Sequence, residues 1–590
     1  MPAIVHDKGP LAGDNIRLTG GQLVARALKA HGIDTVFGLA GTTHAHILEA
    51  LDDEKFVIVP GRSENGTVGA ADGYARVTGK CGVALVIADQ GVVNAMAAIA
   101  TAYHACSPVL IIVGWYQGAA GVETETDIDN EKIPFVGPVT KWARTVPHVS
   151  RVGEFVHAAI KRATSGRKGP VVLQVTSAMM AETVEAQNVI DIPATTAPPP
   201  APDAAQLAKA ADALMAARRP LILAGGGAHW SGAGPALRRL VERLNIPILG
   251  NALGRGLVPE DNRRSYCLHL ASPALAEADA ILVVGARLKG RLGFGLAPQF
   301  RKDATFIQVD VTPEELGRNR HIHIPVVADA RLFVEALDAA LSARGAKALP
   351  GEPWTAPLLA ERLAHIDGVG RAPTAPVHPY WIGRELMKRM PADALLVMDG
   401  AQILAYVYAT VHVKAGPVLD HYALGSMGSC TPLMVGAGAG LAEIARRTNG
   451  KPRRVVMITG DGAFGYFTNE IGSAKAMGLS PIVIVANDSA WGVEWAGHME
   501  KLGRAINTEL NPTRFDLIAE AHGCLGIRVE TPAQLGPALE TAFAADVPTV
   551  IDVITDRAAA FEYRKDPMMQ MLGRFKGLNE SRTITYGADG

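Results

Sequence analysis

Residues 460–491, GDGAFGYFTNEIGSAKAMGLSPIVIVANDSAW, decide how this 590-residue chain is read. The apolar run at 455–458 leads into Thr459-Gly460-Asp461-Gly462, and a second β-branched run at 481–485 ends in Ala486-Asn487-Asp488. Two such runs around a helix-length segment predict neighbouring parallel strands bracketing one helix. Glycines at 460 and 462 allow a sharp turn and bring backbone amides close to an anion, while the carboxylate of Asp461 offers Mg²⁺ a hard oxygen. Asp488 and the backbone carbonyl of Ala490 fall at the end of the next strand, where parallel sheets present ligands. With diphosphate oxygens and water they complete an octahedron, so the stretch reads as a metal–diphosphate site.

A second constellation lies about 400 residues upstream. Arg62-Ser63-Glu64-Asn65 follows a strand at 56–59 and precedes a small-residue helix beginning at Gly69. A third, Gly425-Ser426-Met427-Gly428, stands before the small-residue helical run 436–444. Together the three resemble the thiamine-diphosphate enzymes of the pyruvate decarboxylase and acetolactate synthase superfamily. There GDG is followed, after about 25 residues, by an Asn pair; here 24 residues separate Gly462 from Asn487.

The resemblance implies thiamine diphosphate and Mg²⁺ as cofactors, with Asp461, Asp488 and Ala490 as metal ligands. Gly400, Ala401, Gln402, Gly425, Met427, Gly462, Ala463, Asn487 and Asn94 are then the cofactor-binding positions. Met427 bends the cofactor, and Glu64 acts on the far pyrimidine nitrogen so that the exocyclic amine becomes an internal base. Glu494, six residues beyond Asp488, is the second candidate catalytic residue. Its neighbours Trp491, Val493 and Trp495 are expected to desolvate it and make it an acid–base group. His44 and His104 are further catalytic candidates near an acyl group. The family's Asn-Asn pair is Asn487-Asp488 here, which puts a carboxylate beside Asp461; a one-residue shift would make Asn487 the ligand instead. Ala88-Asp89-Gln90-Gly91 and the segment 39–44 also depart from the family pattern at positions that face the reacting carbon, which implies a substrate other than those of the best-known members.

The middle of the chain narrows the resemblance. The segments 258–262, 278–288 and 306–311, with Glu314-Glu315-Leu316-Gly317, look more like oxalyl-CoA decarboxylase and 2-hydroxyacyl-CoA lyase than like acetolactate synthase. In that subgroup an ADP or CoA moiety sits in the middle domain. Arg287 and Asp310, at strand ends, suit phosphates and a ribose. Arg564 and Lys565 in the C-terminal tail, with the methionines at 568, 569 and 571, suit a segment folding over an acyl-CoA; a packed or disordered terminus is the alternative. The expected activity is cleavage of a 2-hydroxyacyl-CoA to formyl-CoA and an aldehyde or ketone. Oxalyl-CoA decarboxylation and an acetolactate-synthase-like carboligation with FAD are the alternatives; FAD itself is not expected.

Composition agrees with a large enzyme. Apolar residues make up 48% of the chain, and 57 Lys and Arg stand against 58 Asp and Glu, which argues against nucleic acid or a membrane surface as the partner. Cysteines at 81, 106, 267, 430 and 524 form no CxxC pair, as in a reduced cytoplasmic protein. The apolar stretch 95–113 is broken by His104, Ser107 and Pro108 into a helix and a strand. Pro-rich segments at 192–203 and 349–379 divide the chain, which predicts an α/β architecture of three doubly wound parallel-sheet domains. These are a pyrimidine-binding domain (15–190), a Rossmann-like middle domain (204–345) and a diphosphate-binding domain (379–560), followed by a tail (561–590) that is a candidate lid. Cofactor bridging between subunits, as in the family, implies a homodimer or homotetramer.

Overall fold

Alternating short β-branched strands and Ala-rich helices produce three six-stranded parallel sheets, and the computed structural model describes residues 16–87, 90–115, 132–190, 195, 197–260, 263–369 and 374–566. The first sheet runs Val57–Pro60, Thr35–Gly38, Gly82–Val86, Val109–Trp115, Val171–Thr176, Trp142–Thr145. The third runs Leu419–Asp420, Leu395–Met398, Val455–Gly460, Ile482–Asn487, Thr549–Ile554, Leu525–Val529. With each sheet's strands numbered in chain order, both have the order 2-1-3-4-6-5. The second sheet (Ser265–Cys267, Ile248–Gly250, Pro220–Ala224, Ala280–Val284, Thr305–Asp310, Ile324–Val327) has the order 3-2-1-4-5-6 of a nucleotide-binding doubly wound sheet. Arg17–Thr19 and Thr183–Glu185 add a small antiparallel pair.

The helix Glu64–Thr78 of the first sheet packs on Cys430–Thr448 of the third. Glycines make this possible: a methyl group on Gly73 would run into the Leu433 carbonyl, and one on Gly436 into that of Ala70. One apolar cluster therefore runs through both sheets, from Phe37 and Tyr74 to Met434 and Phe464. Buried ion pairs tie the junctions. Arg76 forks onto Asp72 at 2.8 and 2.6 Å and donates to the Asp420 carbonyl, while His229 of the middle sheet bonds the Arg76 carbonyl. Arg255 forks onto Glu260 and reaches the Val411 carbonyl.

The single helix expected after Asp461 is two short pieces, Asp461–Phe464 and Glu470–Ala476. The chain between them turns so that Tyr466 lies against Gly428 and near Trp491. No helix among the described residues is long and apolar enough to cross a membrane. The C-terminal tail is described only as far as Asp566; its methionine run, and Ala88-Asp89, lie outside the described residues.

Candidate active site

Asp461 opens its short helix at the carboxyl end of the strand Val455–Gly460, and Asp488 follows the adjacent strand Ile482–Asn487. The two carboxylates are close enough for the charge of one to act on the other. Burial pushes Asp461 up to about 6, partly offset by the amides of Gly462, Ser489 and Ala490; burial and then the charge of Asp461 push Asp488 to about 7. A close pair of buried carboxylates disfavours ionisation of both, and a divalent cation between them removes that cost. The donor set therefore fits Mg²⁺. Asn487 is committed elsewhere: its amide nitrogen bonds the Thr513 carbonyl at 3.0 Å and Asp552 at 2.9 Å, and its oxygen accepts from Ser489. Asp488, rather than Asn487, is the side chain on which the charge of Asp461 acts.

The surrounding backbone is rich in glycine. A side chain at Gly462 would collide with the Trp491 ring. Gly400, with φ of 93°, lies against the Gly460 amide, and Ala401 is exposed beside it. The Gln402 amide, oriented to satisfy both its ends, donates to Asp488 at 3.1 Å and accepts from the Ala560 amide. Gly425 and Gly428 take φ of 94° and 84°, so the turn holding the half-buried Met427 folds back to place Gly428 next to the Ala463 carbonyl. Arg557, which no spacing rule singles out, clamps the Asp488 and Ser489 carbonyls and so fixes the loop that follows the strand Ile482–Asn487.

Glu64 is the first residue of its helix, capped by Ser63, and is 6% exposed. Asn94 donates to it at 3.2 Å, and the bare Cα of Gly91 leaves space beside its carboxyl. Within one chain the first and third sheets meet near this point through Glu470, which accepts from Ser63 at 3.3 Å and from Ser473 at 3.0 Å, and whose carboxyl burial pushes up. Glu470 stands in the quoted stretch but carried no signal beyond being an acid in a helix.

Three expectations change. Glu494 is exposed at the start of the helix Gly492–Leu502, so its neighbours do not desolvate it in the single chain. Trp491 covers Gly462 instead, and Trp495 packs on Phe561. His104 does not join Glu64: it sits at the far end of the helix Gln90–Ala105 from Asn94, where its carbonyl accepts from Arg287. Arg564 and Lys565 do not join Arg287 and Asp310; Arg564 pairs with Glu500 at 2.8 Å, and the Lys565 ammonium lies over Phe561. His44 is fully buried, bonded to the Leu39 carbonyl through Nε2, with no partner on Nδ1; burial pulls its pKa down.

Arg287 and Asp310 share a second site, a cleft of about 790 Å³. It opens where the middle sheet's strand order reverses, between Gly225-Gly226-Gly227 and Gly285. The three glycines follow directly on the strand Pro220–Ala224 in the sequence. Lys168, Lys289 and His104 line the cleft, and burial, with neighbouring cations at Lys289 and His104, pulls all three pKa values down. Burial pushes Asp310 up, and it accepts from the Thr312 amide. Cations held in this way are stabilised by an incoming polyanion. The cleft's far wall is Asp420, Tyr422, Ala423 and Leu424, directly before the Gly425 turn.

Residues 18–131, 207–337 and 402–553 match the models of the N-terminal TPP-binding, central and C-terminal TPP-binding domains of thiamine pyrophosphate enzymes. An acetolactate synthase large subunit of Mycobacterium tuberculosis is 33% identical, the match covering 92% of this chain and 97% of that one. The oxalyl-CoA decarboxylase of Escherichia coli is 29% identical over 93% of this chain and 97% of its own. A solved Mycobacterium smegmatis structure, titled as a thiamin diphosphate-dependent enzyme, superposes over 92% of this chain with a TM-score of 0.76; at 23% identity it speaks for the fold. The three matched domains, and a 33% identical relative aligned over nearly its whole length, establish that the chain belongs to the thiamine pyrophosphate-dependent enzymes.

Proposed function

We propose that this protein cleaves a 2-hydroxyacyl-CoA to formyl-CoA and an aldehyde or ketone. The observation that carries the reading is the cationic cleft at the middle sheet's switch point, which runs up to Tyr422 and Leu424 beside the cofactor turn. An acyl-CoA has the shape this calls for: a phosphate-rich nucleotide for Lys168, Arg287, Lys289 and Asp310, and an arm leading toward the turn.

Bound thiamine diphosphate would supply a nucleophilic carbon and an electron sink for the bond that breaks. Asp461, Asp488 and the Ala490 carbonyl would hold Mg²⁺ and through it the diphosphate, with Gly462 and Ala463 offering backbone to the same group. Glu64, oriented by Asn94, would hold a proton at the far pyrimidine nitrogen, and Met427 would pack against the cofactor. Glu494 would move the proton of the substrate hydroxyl. Because it is exposed in one chain, a second copy is its natural cover, and the working enzyme is proposed as a homo-oligomer in the cytoplasm.

A second reading, a carboligase resembling acetolactate synthase with FAD in the same cleft, is favoured by the 33% identical relative. One experiment separates them. Purified protein with thiamine diphosphate and Mg²⁺ is offered 2-hydroxyacyl-CoAs, oxalyl-CoA and pyruvate, with products followed by mass. Formyl-CoA with an aldehyde or ketone is expected, and Glu64→Gln should lower turnover at least about 100-fold. A yellow protein making acetolactate would replace the lyase with the carboligase.

A further inference from the structure

Beneath the cofactor turn, and outside the machinery described above, three side chains of different chemistry converge. Asp399 ends the strand Leu395–Met398, His421 follows Leu419–Asp420, and Cys430 opens the helix Cys430–Thr448. They are 0%, 3% and 0% exposed, and their ligand atoms all lie within 4.8 Å of one another. Among the described residues no other group of three or more His, Cys, Asp or Glu side chains comes together in this way. We propose that Asp399, His421 and Cys430 form a binding site for a borderline-soft divalent cation such as Zn²⁺, separate from the Mg²⁺ site at Asp461.

Two observations carry the assignment. His421 Nδ1 is buried without a hydrogen-bond partner: it lies 3.4 Å from Asp399 Oδ1, in a geometry that makes no bond. A buried ring nitrogen left in that state is costly, and coordination satisfies it. The donor set is also tetrahedral in count. Cys430 Sγ lies 3.1 Å from the Met398 carbonyl, so a cation displacing the thiol proton would find a carbonyl oxygen as its fourth ligand. Asp399 is already oriented from outside, since Gly400 and Cys430 donate their amides to its two oxygens at 2.7 and 2.9 Å. Such support from neighbouring groups is what holds a metal-binding carboxylate in place.

Imidazole and thiolate favour zinc over magnesium. Burial, followed by the charges of Asp399 and Asp420, pushes the Cys430 thiol well up, so the thiolate forms together with the metal and uptake releases one proton. The way in is short, because Asp420 and Tyr422, on either side of His421, line the large cleft. The consequence is local. The His421 carbonyl accepts from the Gly425 amide at 2.9 Å, so a cation joining His421 to Cys430 ties the base of the turn bearing Met427 to the start of the following helix.

The test uses the full chain saturated with Mg²⁺ and thiamine diphosphate, with Co²⁺ as the probe. One Co²⁺ per chain should bind with a thiolate-to-cobalt charge-transfer band in the near ultraviolet, and Zn²⁺ should displace it. Cys430→Ser should abolish the band, and His421→Gln, which keeps the thiol, should weaken Co²⁺ binding at least about tenfold. Asp461→Asn should leave the band intact. Far-ultraviolet circular dichroism of each variant shows whether it is folded. A folded wild-type chain that takes up no Co²⁺, or a band that survives Cys430→Ser, overturns the site, and neither result depends on the substrate proposed above.

Discussion

His269 stacks on Tyr408 with ring centres 4.0 Å apart, and burial followed by the charges of Arg255, Arg291 and Arg362 pulls its pKa from 6.5 to about 3. Burial pulls His229, at the three-sheet junction, to about 4. Both side chains are neutral when folded and take up a proton on unfolding below about pH 6.5. Their stabilising contribution is thus complete above that pH and is lost as pH falls toward 4, at about 1.4 kcal/mol per pH unit for each. Denaturant titrations at pH 7.5 and 5.0 should show this loss, and His269→Gln should flatten the slope; identical slopes would remove His269 as a cause. At this scale the sequence shows what local spacing controls. Asp461, Asp488 and Glu64 stand out because each of the motifs that carry the family resemblance packs strand, turn and acid into a few residues. The exposure of Glu494 is hidden, because water is excluded by groups distant in the chain. His104 lies on the same helix as Asn94 but about 15 Å along it, at 1.5 Å per residue, a separation set by helix geometry.

The helix pair Glu64–Thr78 and Cys430–Thr448 owes its closeness to Gly73 and Gly436. Gly436→Ala should destabilise the protein by about 3 kcal/mol, because the new methyl meets a backbone carbonyl that cannot swing aside. Gly137→Ala, with open space around it, should stay within about 0.5 kcal/mol. Thermal unfolding of the two variants checks both. Strands are the most readable elements: the runs at 455–458 and 481–485 agree to within two residues at each end with the observed Val455–Gly460 and Ile482–Asn487. The break after Phe464 is not, because it depends on the Tyr466 ring meeting Gly428 from a different part of the chain.

The molecule's three sheets meet at Arg76, whose guanidinium pairs with Asp72, reaches Asp420, and whose carbonyl holds His229. Arg76→Met should cost about 3–5 kcal/mol by leaving Asp72 without its partner in the interior, and Asp72→Leu added to it should recover much of that loss. Denaturation of the single and double variants measures the recovery; additive losses would mean the pair is not the joint. The middle sheet's order was foreshadowed by its Rossmann-like strand ends, whereas the shared 2-1-3-4-6-5 order of the outer sheets has no periodic trace in the sequence. That shared order has a consequence. The helix after the second strand of one sheet packs on the helix after the second strand of the other, so the contact joins like to like, as across the dyad of a symmetric dimer. Such pairing is what results when two copies of one ancestral unit, already mated through this face, become fused into a single polypeptide with the unit of the middle sheet inserted between them.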